Sequence, residues 1–273
     1  MADLPAQALA ALCCPHCRAP LQLAGRLLEC SAGHRFDLAR QGYVSLLGSR
    51  SRTDTGDDAD MVAARMEFLG AGHYAPIAAA VAEAVGEVDG VVGDLGAGPG
   101  YYLSAVTGVD RPGLAVDSSK YAARRAAAVP HVLSVVADNW SALPIADQAL
   151  AAVLSIFAPR DLGQMHRVLR PGGLLVAVTP EPGHLAQVRG PLRMLAVDEG
   201  KADRLDRAAA GFEPVRRQSV RFQVLLDHAG LSALVRMGPA ARHATRAEIE
   251  AAVARQPDSV PVTVDVTVSV LCR

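Results

Sequence analysis

The stretch VVGDLGAGPGYY, at residues 91–102, decides the fold class of this chain. Its apolar start predicts a short buried strand that ends at Asp94, and a helix is expected to begin near Tyr101. Three glycines alternate between them: Gly96, Gly98 and Gly100. Glycines in this position allow a tight turn whose backbone approaches a ligand closely. The spacing G-x-G-x-G differs from the G-x-G-x-x-G of dinucleotide folds, and no Gly-Lys-Ser or Gly-Lys-Thr follows to hold the phosphates of ATP or GTP.

Two further apolar runs end in acidic residues that are suited to hold a nucleoside. The run GLAVDSS carries Asp117 about 20 residues after the first acid, where a carboxylate can accept hydrogen bonds from ribose hydroxyls. The run HVLSVVADNW ends in Asp138, Asn139 and Trp140. A carboxylate there can accept from an exocyclic amine, and an aromatic ring can stack on a purine.

The remaining chain continues the alternation of apolar runs and helical stretches. ALAAVLSIFAP (149–159) predicts a fourth strand, and VLRPGGLLVAVTP (168–180) predicts the end of a helix, a glycine turn and a fifth strand. This alternation over residues 73–273 is typical of an α/β domain with a doubly wound parallel sheet. Hydrophobic residues make up 51% of the chain and charged residues 20%, so it can bury a large core.

Residues 1–36 contain a second pattern, formed by cysteine and histidine. Four of the five cysteines fall in the first 30 residues, which favours metal binding over a disulfide framework. CPHC and CSAGH offer ligands in the spacings C-x2-C and C-x3-H: Cys14, Cys17, Cys30 and His34. Because four nitrogen and sulfur ligands close a tetrahedral site, we expect structural Zn²⁺ rather than a redox pair. We interpret Cys13 and His16 as bystanders, predict a hairpin that turns at Ala24-Gly25, and expect Cys272 to be buried in the final strand.

Residues 37–72 are expected to form a linker and a helix between the two patterns. SRSRTDTGDDAD predicts a loop, and DMVAARMEFLGAGHY predicts a helix with Asp60 as its candidate N-cap. No apolar run reaches the length of a membrane span, and the amino-terminal stretch lacks the basic start of a signal peptide, so we expect a cytoplasmic protein with no membrane partner. The net charge of −1 excludes a globally basic nucleic-acid coat. Arginine-rich segments flank residues 53–90, which are acidic except for Arg65; this segregation fits a basic cleft and an ordinary surface equally well.

The glycine loop, the acids after the next two strands and the later strands together resemble class I S-adenosylmethionine-dependent methyltransferases. The resemblance implies that residues 73–273 form the methyltransferase domain, with a Rossmann-like doubly wound sheet, after a small zinc-ribbon module. The loop would lie beneath the methionine end of S-adenosylmethionine, Asp117 would bind the ribose and Asp138 the adenine. The implied donor-binding residues are Asp94, Gly96, Gly98, Gly100, Tyr101, Asp117, Asp138, Asn139 and Trp140.

Nearly the whole chain resembles the RlmA-type 23S rRNA (guanine-N1)-methyltransferases, and within them the TlrB-like (type II) macrolide-resistance branch. The matching stretches are CPHC, CSAGHRFDLARQGYVSLL, DMVAARMEFLGAGHYAP, DLGAGPGYY, ADNWSALPIAD, FAPR, LRPGG and VTPEPGHL. One departure is Pro99, where many relatives carry an acidic or small residue; it would reshape the glycine loop. The resemblance implies methyl transfer to N1 of a guanine in a hairpin loop of 23S rRNA, a structural Zn²⁺, a homodimer and a role in macrolide resistance.

The implied reaction needs groups that deal with the proton on guanine N1. The site must take that proton or stabilise the anion that forms at O6. Four candidates follow the fourth and fifth strands: Arg160, Asp161, Glu181 and His184. Arg160 is suited to hold O6, and a carboxylate or His184 to accept the proton, but each also fits a helix cap or a surface charge. Two other functions fit the sequence: methylation of a small molecule or another RNA, and RNA binding without catalysis.

Overall fold

Strands and helices alternate through most of the chain. The structure, a computed structural model, describes residues 4–48, 56–138, 141–195 and 210–273. Its strands are β1 (Leu21–Ala24), β2 (Leu27–Cys30), β3 (Arg35–Asp37), β4 (Tyr43–Ser45), β5 (Val92–Leu95), β6 (Gly113–Asp117), β7 (Val132–Val136), β8 (Leu150–Ile156), β9 (Leu169–Pro180), β10 (Glu213–Leu226) and β11 (Val260–Cys272). Its helices are α1 (Ala6–Ala10), α2 (Ala59–Gly70), α3 (Ala75–Val85), α4 (Tyr101–Ser104), α5 (Lys120–Ala126), α6 (Leu162–Val168), α7 (Ala186–Arg189), α8 (His228–Arg236) and α9 (Arg246–Val253), with a 3-10 helix at Pro239–Arg242.

In the part of the chain that the structure describes, eight strands form one mixed sheet in the order β10-β11-β9-β8-β5-β6-β7-β4. All neighbours from β9 to β4 are parallel, which confirms the doubly wound core. Strand β11 runs antiparallel to both β9 and β10, so the sheet is mixed at this edge. The reason is that α8 and α9 connect the paired ends Leu226 and Val260, and a connection that returns to the same end of a sheet makes antiparallel neighbours.

The strand order creates a crevice at the carboxyl ends of β5 and β8. After β5 the chain continues into β6 on one side, and it reaches β8 on the other side only after β7. In doubly wound sheets, ligands bind at this point of reversal. Every residue of β5 and β8 is buried, because separate hydrophobic clusters cover the two faces of the sheet.

The amino-terminal module packs on one face of the large sheet. Strands β1, β2 and β3 form an antiparallel sheet, and Gly25, with a φ of +66°, turns the predicted hairpin between β1 and β2. Leu12 and Leu28 are almost completely buried in the same cluster as Ile145 and Leu150 of the large domain. Leu12 also pairs with Ile145 through the main chain. The module therefore shares a hydrophobic core with the sheet.

Residues 37–72 were predicted to form a linker and a helix, and they also contain strand β4. Strand β4 pairs in parallel with β7 and extends the large sheet by one strand. Helix α2 forms as predicted, but its N-cap is Asp58 rather than Asp60, because the Asp58 carboxylate accepts a hydrogen bond of 2.9 Å from the N–H of Met61. Among the described helices, none alone is long and apolar enough to cross a membrane, although α2 and α3 pass such a test as a pair bent by 84°.

Candidate functional site

Four ligand atoms converge in the amino-terminal module, on Cys14, Cys17, Cys30 and His34. All four lie within 4.8 Å of one another. The Sγ atoms of Cys17 and Cys30 are 3.6 Å apart, and His34 Nδ1 lies 3.3 Å from Cys30 Sγ. Zn–S bonds of about 2.3 Å and Zn–N bonds of about 2.0 Å at tetrahedral angles require separations of roughly 3.5–3.8 Å. The residues present therefore fit Zn²⁺, and the structure brings together all four predicted ligands.

Local turns explain why this cluster forms. Gly33 has a φ of +83°, a left-handed conformation that favours glycine, and it turns the chain between the ligands Cys30 and His34. The other two cysteines lie outside the cluster. Cys13 is buried and its N–H donates to the carbonyl of Pro144 at 3.0 Å. Cys272 is half-buried rather than buried, because it is the last residue of β11 and lies near the chain end.

All three glycines of the loop after β5 have the left-handed backbone conformation that favours glycine. Gly96, Gly98 and Gly100 have φ values of +89°, +53° and +83°. A Cβ atom would lie 3.4 Å from Arg65 Cδ at Gly98, and 3.1 Å from a methyl group of Val129 at Gly100. The N–H of Gly98 donates to the Asp117 carboxylate at 2.8 Å. These contacts fix the loop and leave its backbone open to the crevice.

Asp94, at the start of the loop, is a buried carboxyl group without a partner. It is 1% exposed, and neither of its oxygens has a hydrogen-bond partner among the described residues. Burial raises the Asp94 pKa to about 8, and nearby Asp117 adds to the increase. An unpaired buried carboxylate is costly unless a ligand compensates it. The sulfonium and ammonium groups of S-adenosylmethionine are cations, so Asp94 fits this donor.

Asp117, at the end of β6, borders a cavity of about 200 Å³. Its carboxylate accepts hydrogen bonds of 2.8 Å from the N–H groups of Gly98 and Ser119. Burial raises the Asp117 pKa, while these two donors oppose that shift. Gly56 and Asp57 line the same cavity, and the Ser119 hydroxyl donates to the carbonyl of Asp57. The segment before α2 is thus held against the nucleoside end of the site.

Arg65, in α2, lines this cavity and a second cavity beside it. Its Nη2 atom donates to the Asp57 carboxylate and to the Met237 carbonyl, both at 2.7 Å. Its Nε atom is buried without a hydrogen-bond partner among the described residues. This guanidinium places positive charge next to the carboxylates of the site, where it can meet an anionic group of a ligand.

The second cavity, of about 220 Å³, lies on the β9 side of the glycine loop. Leucine and methionine side chains from several elements form much of its wall, and Tyr74 and His184 contribute polar groups. Phe157 follows β8 and lines both cavities. Its φ of +54° is unusual for a residue other than glycine, and such strained backbone is concentrated at functional sites. Its ring lies 5.7 Å from the imidazole of His184, at an interplanar angle of 29°.

Two predicted catalytic residues lie in different environments. His184 lines the second cavity, and burial lowers its pKa to about 4. Arg160 instead donates through Nη2 to the carbonyls of Ser155 and Val178, at 3.0 and 2.7 Å. Burial lowers the Arg160 pKa to about 10. Arg160 therefore connects the ends of β8 and β9.

The two acidic candidates have structural partners. Exposed Asp161 is the N-cap of α6 and accepts a hydrogen bond of 3.0 Å from the N–H of Gln164. Glu181 accepts a hydrogen bond of 2.6 Å from the Thr267 hydroxyl. Among the described residues that line the two cavities, neither acid is included and Arg160 is not either.

The predicted adenine end is only partly described. Asp138 is buried just after β7, the strand next to the one that carries Asp117. Asn139 and Trp140 lie outside the described residues, so the roles assigned to them stay predictions.

Sequence reasoning did not identify four residues that line the cavities: Asp57, Arg65, Tyr74 and Phe157. One signal was present for Arg65, because it is the single basic residue in the acidic stretch 53–90. Tyr74 and Phe157 lie far apart in the sequence and meet only in the fold, with ring centroids 5.9 Å apart.

Comparisons with known proteins agree with this geometry. The family model described as RlmA, N-terminal, a zinc ribbon, matches residues 12–52. The 23S rRNA (guanine(748)-N(1))-methyltransferase of Streptomyces fradiae is 44% identical over 270 residues, which cover 95% of each chain. A Micromonospora griseorubida protein, provisionally named as a 23S rRNA (guanine-N(1)-)-methyltransferase, is 42% identical and covers 92% of this chain and 93% of its own. A Bacillus halodurans crystal structure, provisionally described as a methyltransferase, has a TM-score of 0.52 at 14% identity and covers 71% of this chain and 97% of its own.

The strand order, the glycine loop and the buried acids at the crevice define the class I methyltransferase fold, and it is preceded by an amino-terminal zinc ribbon. Because the identity to the Streptomyces fradiae relative extends over almost the full length of both proteins, the assignment can be narrower. The chain belongs to the RlmA-type 23S rRNA (guanine-N1)-methyltransferase family.

Proposed function

We propose that this protein transfers a methyl group from S-adenosylmethionine to N1 of a guanine in 23S rRNA. The observation that carries the proposal is the meeting of two cavities at Phe157. One cavity extends from the glycine loop to Asp117. The other extends from the same loop to Tyr74 and His184 and has largely apolar walls. The Streptomyces fradiae relative is named for guanine 748, which makes the corresponding guanine the first candidate target.

On the donor side, the chain offers a complementary set of charges. S-adenosylmethionine supplies an electrophilic methyl group on its sulfonium when bound. Asp94 offers a buried carboxylate to the cationic groups, and Arg65 offers N–H donors to the carboxylate of the methionine end. Asp117 accepts from ribose hydroxyls, and Asp138 is assigned to the adenine.

On the acceptor side, alignment is the main task of the protein. Direct attack on a reactive methyl group requires the nucleophile to be held in line and at close range. The apolar walls of the second cavity suit a planar base that has left its stack. Phe157, between the two cavities, marks the place where donor and base meet.

The zinc ribbon is proposed to bind the RNA. Its exposed arginines, Arg26, Arg35 and Arg40, provide the phosphate-binding groups that RNA recognition requires. Arg18 anchors the ribbon by donating to the carbonyls of Leu143 and Ile145, at 2.6 and 3.0 Å. A ribbon held in this way presents RNA in a fixed relation to the cavities.

In vitro methylation of a 23S rRNA hairpin, read by primer extension, tests the function. A methyl group on N1 blocks Watson–Crick pairing, so we expect a donor-dependent stop at one guanine. A matched hairpin with that guanine replaced by adenine should give no stop. Donor binding without any stop on the 23S rRNA hairpin would overturn the proposal and favour a small molecule or another RNA as substrate.

The proposal includes three further properties. A cytoplasmic location agrees with metal-binding thiolates, which require a reducing compartment.

A homodimer agrees with the edge strand β10, which is 14 residues long and exposes Val215 and Leu225. Light scattering of the purified protein tests this oligomeric state. A role in macrolide resistance rests on the resemblance to the TlrB-like branch alone, and drug susceptibility of cells with and without the gene tests it.

A further inference from the structure

The second cavity contains a chain of hydrogen bonds that the donor site does not use. His184 is 6% exposed, and its Nε2 atom lies 3.4 Å from the hydroxyl of Tyr74, which is 3% exposed. Its Nδ1 atom lies 3.2 Å from the backbone nitrogen of Asp265, in β11. Both side chains line the cavity next to the glycine loop.

The direction of this chain follows from the backbone group at its end. A backbone N–H can only donate, so His184 Nδ1 must be the acceptor from Asp265. The neutral imidazole then carries its proton on Nε2, which donates to the oxygen of Tyr74. Because that oxygen already accepts a hydrogen bond, the Tyr74 hydroxyl keeps its own proton for a partner in the cavity.

The loop that carries His184 is pressed against β11. A Cβ atom at Gly183 would overlap an Asp265 carboxylate oxygen, so a side chain at this position would displace that carboxylate. Arg221 donates to the same oxygen at 3.2 Å, and the N–H of Glu181 donates to the Asp265 carbonyl at 2.9 Å. The Phe157 ring stacks on the imidazole of His184. These contacts fix the position of His184 and, through it, the Tyr74 hydroxyl.

We propose that the Tyr74 hydroxyl, oriented by His184, donates a hydrogen bond to O6 of the target guanine. This inference rests on the proposed function and assigns an acceptor-side residue to it. The N1 proton passes to solvent water, and the negative charge left on the base is shared with O6. The N1 electron pair then forms the new bond to the methyl carbon as the carbon–sulfur bond breaks, and sulfur keeps the bonding pair. A hydrogen-bond donor directed at O6 stabilises the negative charge that these steps create.

In this arrangement His184 is a positioning residue and not the base that takes the N1 proton. Its Nδ1 lone pair is engaged with the backbone of Asp265, and its Nε2 atom already carries hydrogen. Burial also lowers the His184 pKa to about 4, which makes it a weak base. His184, one of several sequence-based candidates for taking the N1 proton, is thus proposed to orient Tyr74 instead.

The test compares single-turnover methylation by the full-length wild type and Tyr74→Phe, with saturating donor and RNA hairpin, from pH 7 to pH 9. Removing one such donor costs about 100-fold or more in rate, so we expect a loss of this size at pH 7. At higher pH guanine N1 loses its proton even without a hydrogen bond to O6. The ratio between the methylation rates of the wild type and Tyr74→Phe should therefore shrink to less than about tenfold at pH 9. Tyr121→Phe makes the same change on an exposed side chain and should match the wild type.

Other titratable groups near Tyr74 do not account for that pH dependence. His184 and Tyr102 are buried with pKa values shifted away from this range, His184 downwards and Tyr102 upwards. Asp94 is kept ionised by saturating donor, and calorimetry should show the same donor affinity for Tyr74→Phe as for the wild type.

Two substitutions at His184 test its positioning role. His184→Gln retains an N–H donor for Tyr74 and should keep activity within about tenfold of the wild type, whereas His184→Leu should behave like Tyr74→Phe. The double variant Tyr74→Phe/His184→Leu should lose no more than Tyr74→Phe alone, because both changes remove one interaction.

The inference would be overturned by Tyr74→Phe activity within twofold of the wild type, by a loss that stays constant from pH 7 to pH 9, or by equal losses in the two His184 variants. Failure of the proposed function is a different result. In that case the wild type, with donor bound, produces no primer-extension stop.

Discussion

The zinc ribbon and the methyl-donor site are built in opposite ways. In the ribbon, four ligands come from two short turns within 21 residues, and strands β1 and β2 connect these turns. In the donor site, the contributing residues come from α2, the glycine loop, β6 and the end of β8, which are spread over about a third of the chain. The first site depends on a metal ion and the second on the packing of the sheet.

This difference implies that the two regions should fail independently. A module as small as the ribbon cannot bury enough surface to fold alone, so the metal supplies much of its folding free energy. The donor site needs no metal, because its loop and acids are fixed by buried strands and backbone hydrogen bonds. Removal of one zinc ligand should therefore disrupt the ribbon and leave the donor site intact.

We expect Cys17→Ser to have the largest effect. Structural Zn²⁺ contributes about 10–16 kcal/mol in isolated zinc-binding modules, so loss of a ligand should unfold the ribbon locally. RNA methylation should fall by at least about 100-fold, while donor affinity measured by calorimetry should change less than twofold. Zinc content is measured by elemental analysis on the same sample.

Cys13→Ala is the matched control for this prediction. Cys13 neighbours a ligand but lies outside the cluster, so the variant should keep its zinc and its activity. Loss of donor binding in Cys17→Ser would show instead that the donor site depends on the ribbon.

The next effect concerns the glycine loop. Gly98→Val places a branched side chain at a φ of +53° with its Cβ 3.4 Å from Arg65 Cδ. The left-handed conformation alone costs about 1–2 kcal/mol for a residue with a side chain, so we expect more than a tenfold loss of donor affinity with zinc content unchanged. Gly108→Ala is the control, because nothing lies within 4 Å of a Cβ there. Wild-type affinity in Gly98→Val would contradict the assignment of the loop.

The same contrast explains how much of the molecule could be predicted from sequence. The zinc ligands and the β1–β2 hairpin follow from spacing within a few turns, and the glycine loop with Asp94 follows from one strand and its exit. Asp117 and Asp138 could be placed because parallel strands end at the same edge of a sheet.

Residues positioned by long-range contacts could not be predicted in this way. Arg160 seemed suited to hold a base by its place after β8, yet its guanidinium bonds to two strand carbonyls. Tyr74 reaches the cavity only because α3 packs beside β9 and β11, which no local pattern encodes. Antiparallel β11 depends on where α8 and α9 bring the chain back.

Asp94 gives a smaller, pH-dependent effect. Because its pKa in the free protein is raised to about 8, the carboxyl group is mostly protonated at pH 7 and must ionise to pair with a cationic donor. Donor affinity should therefore rise up to about tenfold between pH 7 and pH 9, with release of nearly one proton per donor bound at pH 7. Calorimetry in buffers of different ionisation enthalpy measures this proton release.

Asp94→Asn separates this effect from others in the site. The variant should bind donor more weakly and show little pH dependence over that range. In the absence of donor, the free energy of unfolding should change with pH in the opposite direction to donor affinity. Because the folded-state pKa of Asp94 lies above the ordinary value of 3.8, the stability that protonated Asp94 contributes declines as pH rises towards 8. Thermal unfolding of the free wild type should show this decline, and equal slopes in both proteins would contradict the assignment.

The smallest effect tests the contact that joins the two regions. Arg18 donates to the carbonyls of Leu143 and Ile145, and Arg167 donates to the same two carbonyls, at 3.1 and 2.7 Å. Since Arg167 keeps both acceptors partnered, Arg18→Ala should cost only about 1 kcal/mol of stability. Zinc content and donor affinity should stay unchanged, while RNA methylation falls a few-fold because the ribbon is held less firmly. Arg26→Ala, on an exposed arginine in the β1–β2 turn, should leave the melting temperature unaltered. A loss of zinc in Arg18→Ala would mean that the ribbon depends on the sheet for its metal site, and the independence of the two regions would have to be given up.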